Sequence, residues 1–120
     1  MSSDWIPTYD HATECLWDAI TRLGTWEGTI QERLYGAFHQ LARLRDDELP
    51  EQYRTEFTEI VNEIRPIGEV LESGHHSVNP AAMSAEAALK LAERILSMYH
   101  SIQIDIRLKF SNRLSELGGE

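Results

Sequence analysis

Apolar residues return at alternating intervals of three and four in four separate stretches of this chain, which is the period of α-helices that each bury one face. The third stretch shows it most cleanly. Tyr53, Phe57, Ile60, Ile64, Ile67 and Leu71 form a heptad-like seam. It opens at Pro50, whose fixed φ suits a first helical turn, just after Asp46, Asp47 and Glu48. Pro66 removes a backbone donor and crowds the carbonyl of Asn62. The seam runs past it in phase, so the pattern predicts a kink at Pro66 and a helix end at Gly74.

The first stretch, from about Tyr9 to Leu23, carries Ala12, Cys15, Leu16, Ala19, Ile20 and Leu23 on one side. Thr8 is a candidate cap, and Asp10 suits the positive end of the helix dipole. The second, from about Trp26 to Arg45, carries Trp26, Ile30, Leu34, Ala37, Phe38, Leu41 and Leu44, with Thr25 as its candidate cap. A join at Gly24-Thr25 allows either a tight antiparallel hairpin or a bent continuous helix. Gly24 and Gly28 both weaken a helix there and favour the hairpin. Residues 74–83, with Gly74 and the Asn79-Pro80 step, read as a loop.

The fourth stretch starts at Ser84, a good cap, and holds Ala88, Ala92, Ile95, Tyr99, Ile102, Ile106, Phe110, Leu114 and Leu117 on one face. A continuous helix from Ser84 to Leu117 is about 50 Å long, whereas the first helix is only about 22 Å. Rods of such unequal length leave the end of the long one uncovered. Ile102 to Phe110 also alternates apolar and polar residues strictly, which taken alone is a strand pattern. A strand needs a partner for its backbone groups, and the chain offers no other convincing one. As a helix, the segment turns Ile102, Ile106 and Phe110 inward and leaves Ile104 and Leu108 on another face. As a strand, it would pair with another chain. Both readings predict an intermolecular contact here.

Composition narrows the function classes. The 120 residues are one domain's worth of sequence. Eleven Lys and Arg stand against twenty Asp and Glu, for a formal charge of −9, which argues against broad binding to a nucleic-acid backbone. One cysteine, Cys15, excludes an internal disulfide framework and a multi-cysteine zinc site. The start from Met1 to Trp5 has neither a basic nor an apolar leader segment, and no apolar run is long enough to span a membrane. The expectation is a cytoplasmic domain without cofactors.

Chemistry-bearing residues are sparse. A di-metal carboxylate bundle needs two Glu-x-x-His pairs on helices. Glu72-Ser73-Gly74-His75 supplies that spacing once, beside a helix-breaking glycine. The pair His75-His76 reads as solvated loop. His11 and Cys15 are four apart and could share a metal, but a thiol on an apolar stripe reads as a small hydrophobe. There is no Gly-x-Ser-x-Gly elbow and no phosphate-cradling glycine loop.

Arg94-Ile95-Leu96-Ser97-Met98-Tyr99-His100 resembles the Arg-x4–6-His signature of HEPN-type ribonucleases, which are helical and usually dimeric. The resemblance implies RNA cleavage, with His100 as acid/base and Arg94 stabilising phosphate charge. The family commonly places a polar residue after the arginine, where this chain has Ile95. On a straight helix the two side chains are also rotated about 240° apart, so they would converge across a dimer or a distortion.

Charge is unevenly spread. Residues 46–72 are strongly acidic, and Glu56, Glu59 and Glu63 fall in a narrow arc of the third helix. Lys90, Arg94, Arg107, Lys109 and Arg113 dominate the fourth. The two helices should attract each other, or the acidic arc should dock on a basic partner in imitation of nucleic acid. Trp5, Trp17 and Trp26 cluster toward the N-terminal helices. Trp26 is in phase with Ile30 and so is expected in the core.

Taken together, the pattern predicts an all-α antiparallel four-helix bundle with a long last helix. The leading functional expectation is a non-catalytic interaction module, either a small accessory subunit of a larger assembly or a homo-oligomer. Ile104, Leu108, Glu56, Glu59 and Glu63 are the expected partner-binding residues. A ribonuclease using Arg94 and His100 is one alternative, and an acidic nucleic-acid mimic is another.

Overall fold

A computed structural model describes residues 10–25, 27–70, 76–79 and 82–117. Trp5, Trp26, Thr8, Glu72, Gly74 and His75 lie outside them, as do the side chains of Phe110, Leu114 and Leu117.

Among the described residues the class is all-α, with four α-helices: α1 (Asp10–Thr25), α2 (Ile30–Leu41), α3 (Glu51–Ile64) and α4 (Ala85–Leu117). Single 3-10 turns at Asp46–Glu48 and Arg65–Ile67 flank α3. Each helix contributes its three-and-four stripe to one core. Cys15 and Leu16 come from α1, Leu34 and Leu41 from α2, Ile60 and Ile64 from α3, and Ile95, Met98 and Ile102 from α4. Residues Ile102 to Phe110 are helix. Their backbone groups are satisfied within the helix, which removes the need for a partner strand.

The link between α1 and α2 differs from the sequence expectation. α1 continues through Gly24 to Thr25, and the cap of α2 is Thr29 rather than Thr25. Thr29 accepts a bond from the Glu32 amide at 3.1 Å, and the Glu32 carboxylate accepts one from the Thr29 amide at 3.0 Å. This reciprocal box satisfies two orphan donors and outcompetes any start three or four residues earlier. Gly28, with φ +113°, supplies the left-handed residue that turns the chain into the box. Arg33 Nη1 donates to the Leu23 carbonyl at 2.9 Å and ties the end of α1 to α2.

The second difference lies at Pro66. The sequence pattern predicts a kink, but the α-helix stops at Ile64. The missing proline donor breaks the ladder, and the chain tightens into the 3-10 turn Arg65–Ile67. That turn still delivers Ile67 into the core, so the seam stays in phase without a helix to carry it. Beyond it the chain is extended. β1 (Gly68–Val70) pairs antiparallel with β2 (His76–Val78), Gly68 opposite Val78. Part of the expected 74–83 loop is therefore a strand. The Asn79 amide donates to the Ile67 carbonyl at 2.8 Å and closes the ladder. Gly68 is there because Tyr35 needs the space: a Cβ at Gly68 would stand 2.0 Å from the Tyr35 ring.

α4 begins as its cap predicts, with the Ala87 amide donating to Ser84 Oγ at 3.1 Å. Gln31, buried on α2, donates to the Met83 carbonyl at 3.1 Å and fixes that entry. With 33 residues, α4 runs about 50 Å. The molecule measures 61 × 27 × 24 Å, so this one helix sets its long axis.

Candidate interaction surface

The inner face of α4 is held against α3 by two polar clamps. Arg94 reaches three carboxylates, with Nη1 on Glu63 at 3.0 Å, Nη2 on Glu59 at 3.1 Å and Nε on Glu56 at 3.4 Å. Desolvation of the half-buried guanidinium opposes its charge, but the bonds it donates to Glu59 and Glu56 outweigh that and raise its pKa. One turn beyond the core residue Ile102, Asp105 accepts from Tyr53 Oη at 2.5 Å and from Gln52 Nε2 at 2.7 Å. Burial and the bond to Asp105 push the Tyr53 hydroxyl pKa up. On the α1 side, Gln103 Nε2 donates to Thr13 Oγ1 at 3.3 Å, and the Trp17 and Tyr99 rings lie 6.0 Å apart.

The structure therefore gathers Glu56, Glu59, Glu63 and Arg94, four residues assigned to two different functions from sequence, into one cluster. Helical phase made the arc of three carboxylates legible. The attraction between the third and fourth helices was expected from their opposite charges and is found here; that all three carboxylates converge on Arg94 alone was not legible. His100 is exposed and is not part of this cluster. It borders a shallow cleft with Leu96, Ser97 and Tyr99.

A second polar chain was half visible. His11 Nδ1 lies 2.6 Å from Glu48 Oε2, and His11 Nε2 lies 3.5 Å from Cys15 Sγ. A carboxylate only accepts, so Nδ1 carries the proton, and in the neutral ring Nε2 accepts from the thiol. The four-residue spacing of His11 and Cys15 was readable, but Glu48 comes from another part of the chain. Burial pushes the Cys15 thiol pKa up, more than Arg43 lowers it, and the side chain is fully buried. The neutral thiol is thus the resident form, and the triad links α1 to the turn before α3. Among the described residues, no group of three or more His, Cys, Asp or Glu is arranged to hold a metal ion.

The outer face of α4 is different in kind. Ile104 is 41% exposed and Leu108 is 56% exposed. Leu89 and Leu96, which sequence reasoning missed, are 51% and 53% exposed, and Trp17 on α1 is 55% exposed. The missed signal was the seven-residue spacing of Leu89 and Leu96, off the core stripe and on one side of the helix. They border a groove of about 260 Å³ between α1 and α4, lined also by Ile20, Leu23, Gly24, Ala92 and Glu93. Single exposed apolar residues are ordinary, but here four lie on one helix and two of them, Leu89 and Leu96, line the groove. Among the described residues, no helix is long and apolar enough to cross a membrane.

Set against known proteins, the chain matches no family, no curated protein and no solved structure.

Proposed function

We propose that this chain is an antiparallel four-helix bundle acting as a non-catalytic, cytoplasmic protein–protein interaction module, an accessory subunit or a homo-oligomer, that binds through the outer face of α4. The observation that carries this reading is the exposed row of Leu89, Leu96, Ile104 and Leu108 on a single helix. Fully burying an exposed side chain of this kind contributes roughly 1.5–3 kcal/mol, and with about half of each already covered the remainder is roughly 1 kcal/mol apiece, enough in sum to favour association once a complementary surface is offered.

This reading stands ahead of the ribonuclease alternative because Arg94, the residue that would meet phosphate, is engaged by three carboxylates of its own chain. It stands ahead of the nucleic-acid mimic because Glu56, Glu59 and Glu63 already face that cation.

The test is the size of the tagged protein in lysate of its native host. Gel filtration should place it well above the 13.8 kDa of one chain. The double variant Leu96→Asp, Leu108→Asp should move it down to that size with its helical circular dichroism intact. Wild-type protein eluting as a lone chain in that lysate would overturn the reading.

A further inference from the structure

The outer face of α4 has an order of its own. At 100° per residue, Glu93, Leu96, His100, Ile104 and Arg107 fall within about 80° of arc, with Ala92 and Leu108 at its flanks. All but the half-buried Ala92 are exposed. The row reads as a mirror about His100. Four residues to either side stand Leu96 and Ile104, eight to either side Ala92 and Leu108, and seven to either side Glu93 and Arg107. Between Ala92 and Leu108 apolar positions thus map onto apolar positions and the one acid maps onto a base, while Leu89, further along the same face, maps onto Ser111. Neither Glu93 nor Arg107 makes an ion pair among the described residues.

We propose that two copies of this chain pair through the outer faces of their α4 helices, antiparallel about a two-fold axis at His100. This rests on the interaction-module reading and names its partner as a second copy. The sign of the charges selects the direction. A parallel pair sets Glu93 against the partner's Glu93 and Arg107 against the partner's Arg107, which is repulsive at both ends. The antiparallel pair sets Glu93 against the partner's Arg107 twice per dimer. It also lays the projecting half of each α4 over the N-terminal half of the other. Leu96 then meets the partner's Ile104, and the partner's Leu108 arrives opposite Ala92, in the wall of the apolar groove with Ile20, Leu23 and Leu89. The groove of about 260 Å³ has room for a leucine side chain. A two-fold pairing of this kind is closed, so it stops at a dimer.

Sedimentation equilibrium of the purified chain tests this with charge reversal. Wild type should sediment as a dimer at micromolar concentration. Glu93→Arg alone and Arg107→Glu alone should each raise the dimer dissociation constant roughly tenfold, because each creates two like-charge contacts. An equimolar mixture of the two variants should restore dimerisation, since every facing pair in the heterodimer is again of opposite sign. His100→Cys should oxidise to a disulfide-linked dimer across the axis. Both charge variants change exposed residues and should keep the wild-type helical signal. A purified wild type that stays a single chain at 100 µM overturns the self-pairing, while a larger species in host lysate would still support the module reading. A wild-type dimer that neither reversal weakens, or variants whose mixture fails to recover, overturns the antiparallel geometry.

Discussion

Ile102 and Ile104 are two residues apart on one helix and occupy opposite environments. Ile102 has no exposed surface, whereas Ile104 is 41% exposed. The contrast extends along α4. Its inner face gives Ala88, Leu91, Ile95, Met98 and Ile102 to the core and is clamped to α3 through Arg94 and Asp105. Its outer face carries Leu89, Leu96, Ile104 and Leu108 with nothing in the described chain to bury them. Both faces carry large apolar residues, so their presence alone does not separate the two. Phase against the other three helices does, because a 200° rotation turns a side chain from core to solvent. A helix with large apolar residues on both sides uses one for folding and leaves the other exposed, and that exposed side is the one proposed to bind.

The sharpest way to break that contrast is to truncate both isoleucines. Ile102→Ala leaves a cavity in a packed core and should cost about 3 kcal/mol in urea unfolding. Ile104→Ala should change the stability of the isolated chain by less than about 0.5 kcal/mol. Equal costs at low protein concentration would mean that Ile104 is as well packed as Ile102. Raising the concentration should enlarge only the Ile104 effect, because in the proposed dimer its burial depends on a second molecule.

Gly68→Ala comes next and probes the contact between β1 and α2. The added methyl has no room, since the Tyr35 ring atoms stand about where it would go. Gly68 has φ −95°, so the cost is overpacking and not backbone strain. Thermal unfolding should show a loss of about 2 kcal/mol, recovered in part by Tyr35→Leu, which shortens the obstructing ring. A wild-type melting temperature for Gly68→Ala would show that the ring moves aside freely.

How much of this was readable follows from how far apart the partners lie in sequence. The stripes of all four helices, the Ser84 cap and the phase that separates Ile104 and Leu108 from Ile102 are local features with a fixed period. They were legible. The stop at Ile64 was not, because Ile67 stays in phase whether a helix or a 3-10 turn presents it. The Thr29 box was missed because Thr25 offered the same chemistry nearer to Trp26. Tyr35 against Gly68, Glu48 against His11, and Arg94 against its three carboxylates join residues more than thirty positions apart. No local pattern records such pairs, since the folded path of the backbone brings them together.

Arg94→Gln should have a smaller effect than either core change, about 1 kcal/mol lost by urea unfolding. The cluster is partly solvated, so each contact is weak, but removing the cation leaves Glu56, Glu59 and Glu63 facing one another. The loss should grow at low salt, where their repulsion is less screened, and shrink toward 0.5 M salt. A loss independent of salt would point to packing of the arginine stem as the cause.

The smallest predicted effect concerns acid, and it compares the clamped end of α1 with the outer face of α4. The Arg45 amide and the His11 ring both donate to Glu48 and hold its pKa below the ordinary 4.5. A carboxylate whose pKa is lowered on folding contributes stability that is fully present above the unfolded value and is lost as pH falls through the folded one. Wild type should therefore lose this contribution progressively below about pH 4.5. Glu48→Gln cannot titrate and has already lost it at pH 7. Its melting temperature should start lower and fall less steeply between pH 5 and pH 3, so that the two curves converge in acid. Ile104→Ala, a change on the outer face that removes no titrating group, should run parallel to wild type over the same range at low protein concentration. Parallel curves for Glu48→Gln as well would show that the His11–Glu48 contact adds nothing to the anchoring of α1.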